Sequence, residues 1–476
     1  MITSLIFSVI SPWLFTGLSD LMIKTGYSWH EATDLYWAEG CDWNGGDTGI
    51  VPVPSDQCGS QCARTPGCTH FTWTRANGGT CWVKGGSVTQ GRAVPAVSGY
   101  SMCGMMKQGT SMGAKYVRGC YYTSWSQHRA GQGKFTPKNY VPGICSHLFY
   151  AFVGMGSDFK VKTRDRTDEA TFVKLNALRP QQPDLKILVS LGGWSFSIHN
   201  EALIRSMTSN AACRAIFIQS AASFVRQRNF DGFDIDWEFP KLEDKDNFAA
   251  LITEMRAYFE KEADGSEKPR LLLTGAVAST RYLIDRGYDA QKLGQAFDYI
   301  NIMSYDFNLG NQSRTGFNNP LYGRNGDGRS ISDAAKHWTE LGVPESKILI
   351  GLATYGRGFL SSSTSVGAPA TGPSPPLTYS RKPGLALYYE ICAKVDREEF
   401  VQRYDTVQQA AYATGQGQWF GYNDVASYHV ILDWLKRDRY GGAFVWTLDD
   451  DDFLGVCPSS QGKYPLLTAI KSKLGG

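Results

Sequence analysis

Residues 231–238 read Asp-Gly-Phe-Asp-Ile-Asp-Trp-Glu, and the candidate chemistry begins there. Strand side chains alternate faces with a period of two. As a strand, this run puts Asp234, Asp236 and Glu238 on one face, about 6.5 Å apart. Phe233, Ile235 and Trp237 fall on the other. Three neighbouring carboxyls are costly unless they share protons or face a polar site. A solvated acidic edge strand would not need three large apolar groups behind it. The row therefore reads as acid–base machinery.

Such a row needs a frame. Short apolar runs recur at 117–122, 146–152, 186–191, 232–237, 271–277, 299–303, 348–353 and 442–446. Amphipathic, helix-like stretches lie between them, for example 212–226 and 244–262. Eight strands alternating with helices predict an α/β fold, the (β/α)8 TIM barrel. The gap between runs seven and eight is about twice the others and must hold an insertion. Barrel enzymes carry their chemistry at the C-terminal ends of the strands. Glu238 ends the fourth run, Tyr305-Asp306 the sixth and Trp446 the eighth, so frame and motif point to one site.

The composition fits a folded, aromatic-rich chain: 476 residues, 42% hydrophobic and 13% aromatic. A net charge of +3 without a long basic run argues against nucleic-acid or membrane-surface partners. Of eleven cysteines, six lie between Cys41 and Cys103. That density reads as a disulfide framework in an oxidising, extracellular compartment. An odd count leaves one thiol over, and Cys213, in a helical stretch, is the candidate for a small buried thiol. Residues 1–19 are apolar and end in a small-x-small pattern, which reads as a signal peptide. Residues 20–40 read as a polar leader, 41–103 as a first domain and 104–116 as a flexible linker.

The motif Asp-Gly-x-Asp-x-Asp-x-Glu resembles the signature of the family-18 glycoside hydrolases, the chitinases and chitinase-like lectins. Ser190 to Trp194, Met303 to Asp306, Tyr355 to Phe359, Trp446 with Asp451 to Phe453, and Gly119 to Trp125 resemble further motifs of that family, in order along 117–476. The resemblance implies a catalytic TIM barrel with an α+β insertion at about 356–421 that walls the cleft. It implies hydrolysis of β-1,4-linked N-acetylglucosamine polymers with net retention, cleavage within the polymer being favoured over cleavage from an end. The substrate's own acetamide is the nucleophile. Glu238 would be the general acid/base. Asp236 would orient the acetamide and share a proton with Asp234. Tyr305 would donate to the acetamide oxygen, and Trp446 would floor the distorted sugar. Met303, Asp306, Tyr355 and Arg357 would line the cleft, with Trp125 and Trp194 stacking on flanking sugars. The partner implied is chitin or chitooligosaccharide. A catalytically weak or inactive oligosaccharide-binding lectin is the alternative, but lectin relatives usually lose the glutamate that this chain keeps.

Asp231 reads as a buried structural carboxylate, and Ser190, Gly192 and Gly193 as packing residues under the site. The chemistry requires no metal and no cofactor. Asp449 to Asp452 lacks EF-hand spacing and reads as a loop cap or salt-bridge cluster. Residues 41–103 resemble the PAN/apple module, a helix stapled to a small sheet, with a carbohydrate or protein ligand. That resemblance implies that Cys58 and Cys62 pair with Cys68 and Cys81, and Cys41 with Cys103. The barrel resemblance implies Cys120 with Cys145 and Cys392 with Cys457. Family members often carry a Trp five residues beyond the Asp of the third motif. Asn311 stands there instead, in the glycosylation sequon Asn311-Gln312-Ser313.

Overall fold

All eight apolar runs form strands in the computed structural model, and all eight are parallel. They span Val117–Thr123, His147–Met155, Lys186–Gly192, Gly232–Asp236, Leu272–Val277, Tyr299–Ile302, Ile348–Ala353 and Gly442–Trp446. The first pairs with both the second and the eighth, which closes the cylinder. The structure describes residues 27–31, 35–65, 68–86, 88–89, 92–96, 101–106, 116–266, 268–324, 326–460 and 462–475. The chain divides into two compact units between Ala114 and Lys115.

In the larger unit the strands are mostly apolar because both of their faces are covered. One set of side chains packs against the outer helices. Phe233 meets Phe217 edge-on at 5.9 Å, and Trp237 meets Phe248 at 5.7 Å. The other set fills the lumen, where Tyr121, Phe149, Leu188, Leu349 and Phe444 form a buried cluster. At the N-terminal end, acidic residues extend the ladder. Asp231 accepts the Ile187 N–H at 2.7 Å, and Asp298 accepts the Leu273 N–H at 2.8 Å. Asp231 is half-buried rather than buried, and is paired with Arg179 at 2.8 Å.

Between strands seven and eight lies an antiparallel sheet of five strands: Tyr355–Leu360, Leu385–Leu387, Val401–Asp405, Ala410–Gly415 and Gln418–Tyr422. It carries the helix Tyr388–Asp396. The acidic run after strand eight is consumed by structure. Asp449 and Asp450 pair with Arg129 at 2.7 and 2.9 Å. Asp451 accepts the Leu467 N–H at the start of helix Pro465–Leu474. Asp452 accepts from Val456 and Cys457.

In the smaller unit, helix Ser55–Arg64 packs on a sheet containing Leu35–Glu39, Asp47–Val51, Cys68–Thr74, Thr80–Gly85 and Ser101–Met106. This corrects two boundaries. Leu35–Glu39 belongs to the sheet, paired with Ser101–Met106, rather than to a leader. The last strand runs on to Met106, into the expected linker. The expected signal peptide, 1–19, and most of the linker lie outside the described residues.

Five disulfides form: Cys41–Cys103, Cys58–Cys81, Cys62–Cys68, Cys120–Cys145 and Cys392–Cys457. Cys213 is free, but partly exposed rather than buried. Cys120–Cys145 ties the first strand to the approach of the second across a separation of 25 residues. Restricting the unfolded chain over such a loop stabilises by about 3 kcal/mol. The double replacement Cys120→Ala/Cys145→Ala should lower unfolding free energy by about that amount in urea titration. An unchanged midpoint would contradict it.

Candidate active site

Asp234 is fully buried in the lumen, where an unpartnered charge would be prohibitively costly. Four donors surround it. Tyr121 Oη and Ser190 Oγ donate to Oδ2 at 2.9 and 2.7 Å. Thr274 Oγ1 donates to Oδ1 at 2.6 Å, with Asn301 Nδ2 at 3.4 Å. Burial raises its pKa, and the Thr274, Ser190 and Tyr121 hydroxyls oppose the rise. These donors come from strands one, three, five and six, so the whole barrel closes on this carboxylate. Ser190, expected only to pack, is one of them.

Asp236, one strand period higher, has an oxygen with no hydrogen-bond partner. Its pKa is raised well above the usual carboxylate range, first by burial, then by Glu238 and Asp234. No hydrogen bond joins Asp234 to Asp236 among the described residues.

Glu238 lies just past the strand end, half-buried at the barrel mouth. Its backbone N–H donates to Ser197 Oγ at 2.9 Å. Burial and the charge of Asp306 push its carboxyl up to about 7, against the Trp194 N–H. Gly192 and Gly193 make the close approach possible. Gly193 N–H donates to the Asp236 carbonyl at 2.9 Å. Gly192 has φ of 128°, and a Cβ there would collide with that same carbonyl.

Tyr305 follows strand six. Its ring lies 6.2 Å from Tyr355 and 6.1 Å from Phe444. Its hydroxyl makes no hydrogen bond among the described residues, and burial first, then Tyr355 and the carboxyls, raises its pKa well above the usual value. Asp306 takes a left-handed backbone (φ 61°). Arg357 grips it through two nitrogens at 2.8 and 2.7 Å, and Tyr355 Oη donates to it at 2.7 Å. The insertion sheet thus reaches back to the barrel site.

Trp446 ends strand eight, 5.4 Å from Tyr121 and stacked on Phe152 at 5.8 Å. Trp125 stacks on Phe152 at 6.1 Å. Trp125 and Trp194 are 43% and 60% exposed, unusual for so large an apolar ring and suited to an external flat ligand. Met303 is half-buried against the lumen cluster. Asn311 is exposed on the loop that follows Asp306. Cis peptides occur at Ala151–Phe152, Glu238–Phe239 and Trp446–Thr447.

Residues 117–451 match the family model described as glycosyl hydrolases family 18. The chain belongs to that family. It is 40% identical over 377 residues to a probable endochitinase of Caenorhabditis elegans, covering 76% of this chain and 60% of that relative. Among solved structures it resembles an immunomodulatory active chitinase of Trichuris suis (TM-score 0.73, 40% identity, 76% of this chain and all of that one). It also resembles human YKL-39, described as a pseudo-chitinase with retained chitooligosaccharide binding (TM-score 0.72, 37% identity, 76% of this chain and all of that one). Family-18 relatives thus include both enzymes and binders.

Glu238 binds its proton more tightly in the folded protein than in the unfolded chain, where its value is 4.5. The stability this contributes is full below pH 4.5 and is lost as pH rises through about 7. Glu238→Gln removes that loss. At pH 8 the variant should be more stable than the parent by on the order of 1–3 kcal/mol, the gap closing towards pH 4. Urea titrations at both pH values read this. An equal gap at both would mean that Glu238 is not perturbed.

Proposed function

We propose that this chain is a secreted chitinase that hydrolyses β-1,4-linked N-acetylglucosamine polymers, acting within the chain, by substrate-assisted retaining catalysis. The observation that carries the reading is the placement of Glu238, half-buried at the barrel mouth just past Asp236 with its unpartnered oxygen, where burial and the charge of Asp306 push its carboxyl up to about 7. A general acid works best when its pKa lies near the working pH.

In this mechanism Glu238 gives its proton to the glycosidic oxygen. The acetamide oxygen of the same sugar attacks the anomeric carbon, and the bond to the leaving sugar breaks. Asp236 accepts from the acetamide N–H, aligning the nucleophile and holding the developing positive charge. Tyr305 donates its free hydroxyl to the acetamide oxygen. Water then opens the oxazolinium ring, losing a proton to Glu238. Asp234 is a positioning residue, fixed by its four donors beneath Asp236. Trp446 forms the floor. Trp125 and Trp194 stack on flanking sugars, and Met303, Tyr355, Asp306 and Arg357 line the cleft. Apart from the proton on Glu238, most of the acceleration comes from holding the acetamide in line.

Secretion is supported by the five disulfides. Residues 41–103 are read as a PAN/apple-like module that binds carbohydrate or protein, on the strength of one helix stapled to a sheet by Cys58–Cys81 and Cys62–Cys68. The pseudo-chitinase relative supports a second reading, an oligosaccharide-binding lectin on the same barrel.

Hydrolysis of soluble chitooligosaccharides separates the two. The parent should turn over, with a rate that falls as pH rises through about 7. Glu238→Gln should keep binding and lose about 10²–10⁴-fold in kcat. A parent that binds the oligosaccharide without cleaving it is the lectin, and a variant as fast as the parent removes Glu238 from the mechanism.

A further inference from the structure

Asn311-Gln312-Ser313 is the only Asn-x-Ser/Thr sequon in the whole sequence, and its middle residue is not proline. Hydrolysis makes no use of it. Asn311 is exposed, and its side-chain amide makes no hydrogen bond among the described residues. The loop that carries it is nonetheless tightly held. At its base, Asp306 N–H donates to Asn318 Oδ1 at 2.9 Å and Phe307 N–H to the Asn318 carbonyl at 3.2 Å. Asn308 Nδ2 donates to the Phe317 carbonyl at 2.9 Å. At the tip, Gln312 N–H closes a turn onto the Leu309 carbonyl at 3.0 Å, and Ser313 carbonyl accepts from Ala370 N–H at 2.9 Å. Gly310 lies so close to Gly358 and Gly384 that a Cβ would not fit. A substituent on Asn311 Nδ2 would break none of these bonds.

We propose that Asn311 carries an N-linked oligosaccharide, on the same loop as Tyr305 and Asp306. This rests on the reading of the chain as secreted, since the donor is a lipid-diphosphate-linked oligosaccharide of the secretory pathway. In the transfer, Asn311 Nδ2 forms a bond to the anomeric carbon of the first sugar. The bond from that carbon to the diphosphate oxygen breaks, the amide nitrogen loses one proton, and the lipid diphosphate leaves. Because the loop is pinned at base and tip, the sugar has a fixed root on the segment that follows Asp306.

The test uses the full chain, made in a eukaryotic secretory host behind a supplied secretion leader and collected from the medium. Intact mass is measured before and after treatment with peptide N-glycosidase. The expected result is complete loss of an oligosaccharide mass, with residue 311 read as Asp in the treated peptide. Ser313→Ala, secreted alongside, should lack that mass from the start. A secreted, disulfide-bonded parent whose mass does not change overturns the proposal, and so does a glycan that persists in Ser313→Ala. Hydrolysis of chitooligosaccharide is read separately on the same protein. A glycosylated but inactive protein supports this site and overturns the chitinase reading.

Discussion

A charge sealed in the barrel lumen is the constraint on which the site depends. Asp234 has lost water entirely, and removing a carboxylate from water costs several kcal/mol. Hydrogen bonds to a charged group return about 1.5–3 kcal/mol each, so one or two would not suffice. Four donors from four strands converge on it. The barrel therefore cannot loosen at Tyr121, Ser190, Thr274 or Asn301 without exposing that cost. Rigidity at the floor of the site follows from electrostatics as much as from packing.

That floor also decides where protons reside. Asp234 is supplied with donors, whereas Asp236 has fewer partners and two acidic neighbours. Glu238 is nearer to solvent, and its carboxyl rises only to about 7. Along one strand the three carboxyls occupy graded environments, from fully donor-saturated to half-open. Chemically identical or similar groups thereby take different roles. Asp306, held by Arg357 and Tyr355 from the insertion, adds negative charge from outside the row and helps keep Glu238 protonated.

The fold is largely legible because the barrel strands are buried on both faces and so appear as short, predominantly apolar runs. The carboxylate row was legible because period-two spacing is a local property. The rest is non-local. Leu35–Glu39 becomes a strand through pairing with Ser101–Met106 on one side and His30–Glu31 on the other, which no local pattern announces. Thr274 and Asn301 are each a lone polar residue in an otherwise apolar strand. Such a residue inside a closed barrel must face a polar partner in the lumen, and that was the available signal. Ser190 reads as a packing residue in the sequence because only the folded barrel brings its hydroxyl to Asp234.

The insertion leaves the end of strand seven and comes back to the helix Val425–Arg437, and its own first and last strands lie side by side, Arg357 against Gly421. That pairing holds the two stems together, and for an intervening segment each doubling of length costs only about 0.6 kcal/mol in closure entropy. This part of the molecule is consequently free to grow, shrink or be exchanged during evolution while the carboxylate floor stays as it is. Its contribution to the cleft is made through two side chains, Arg357 and Tyr355, near its first stem.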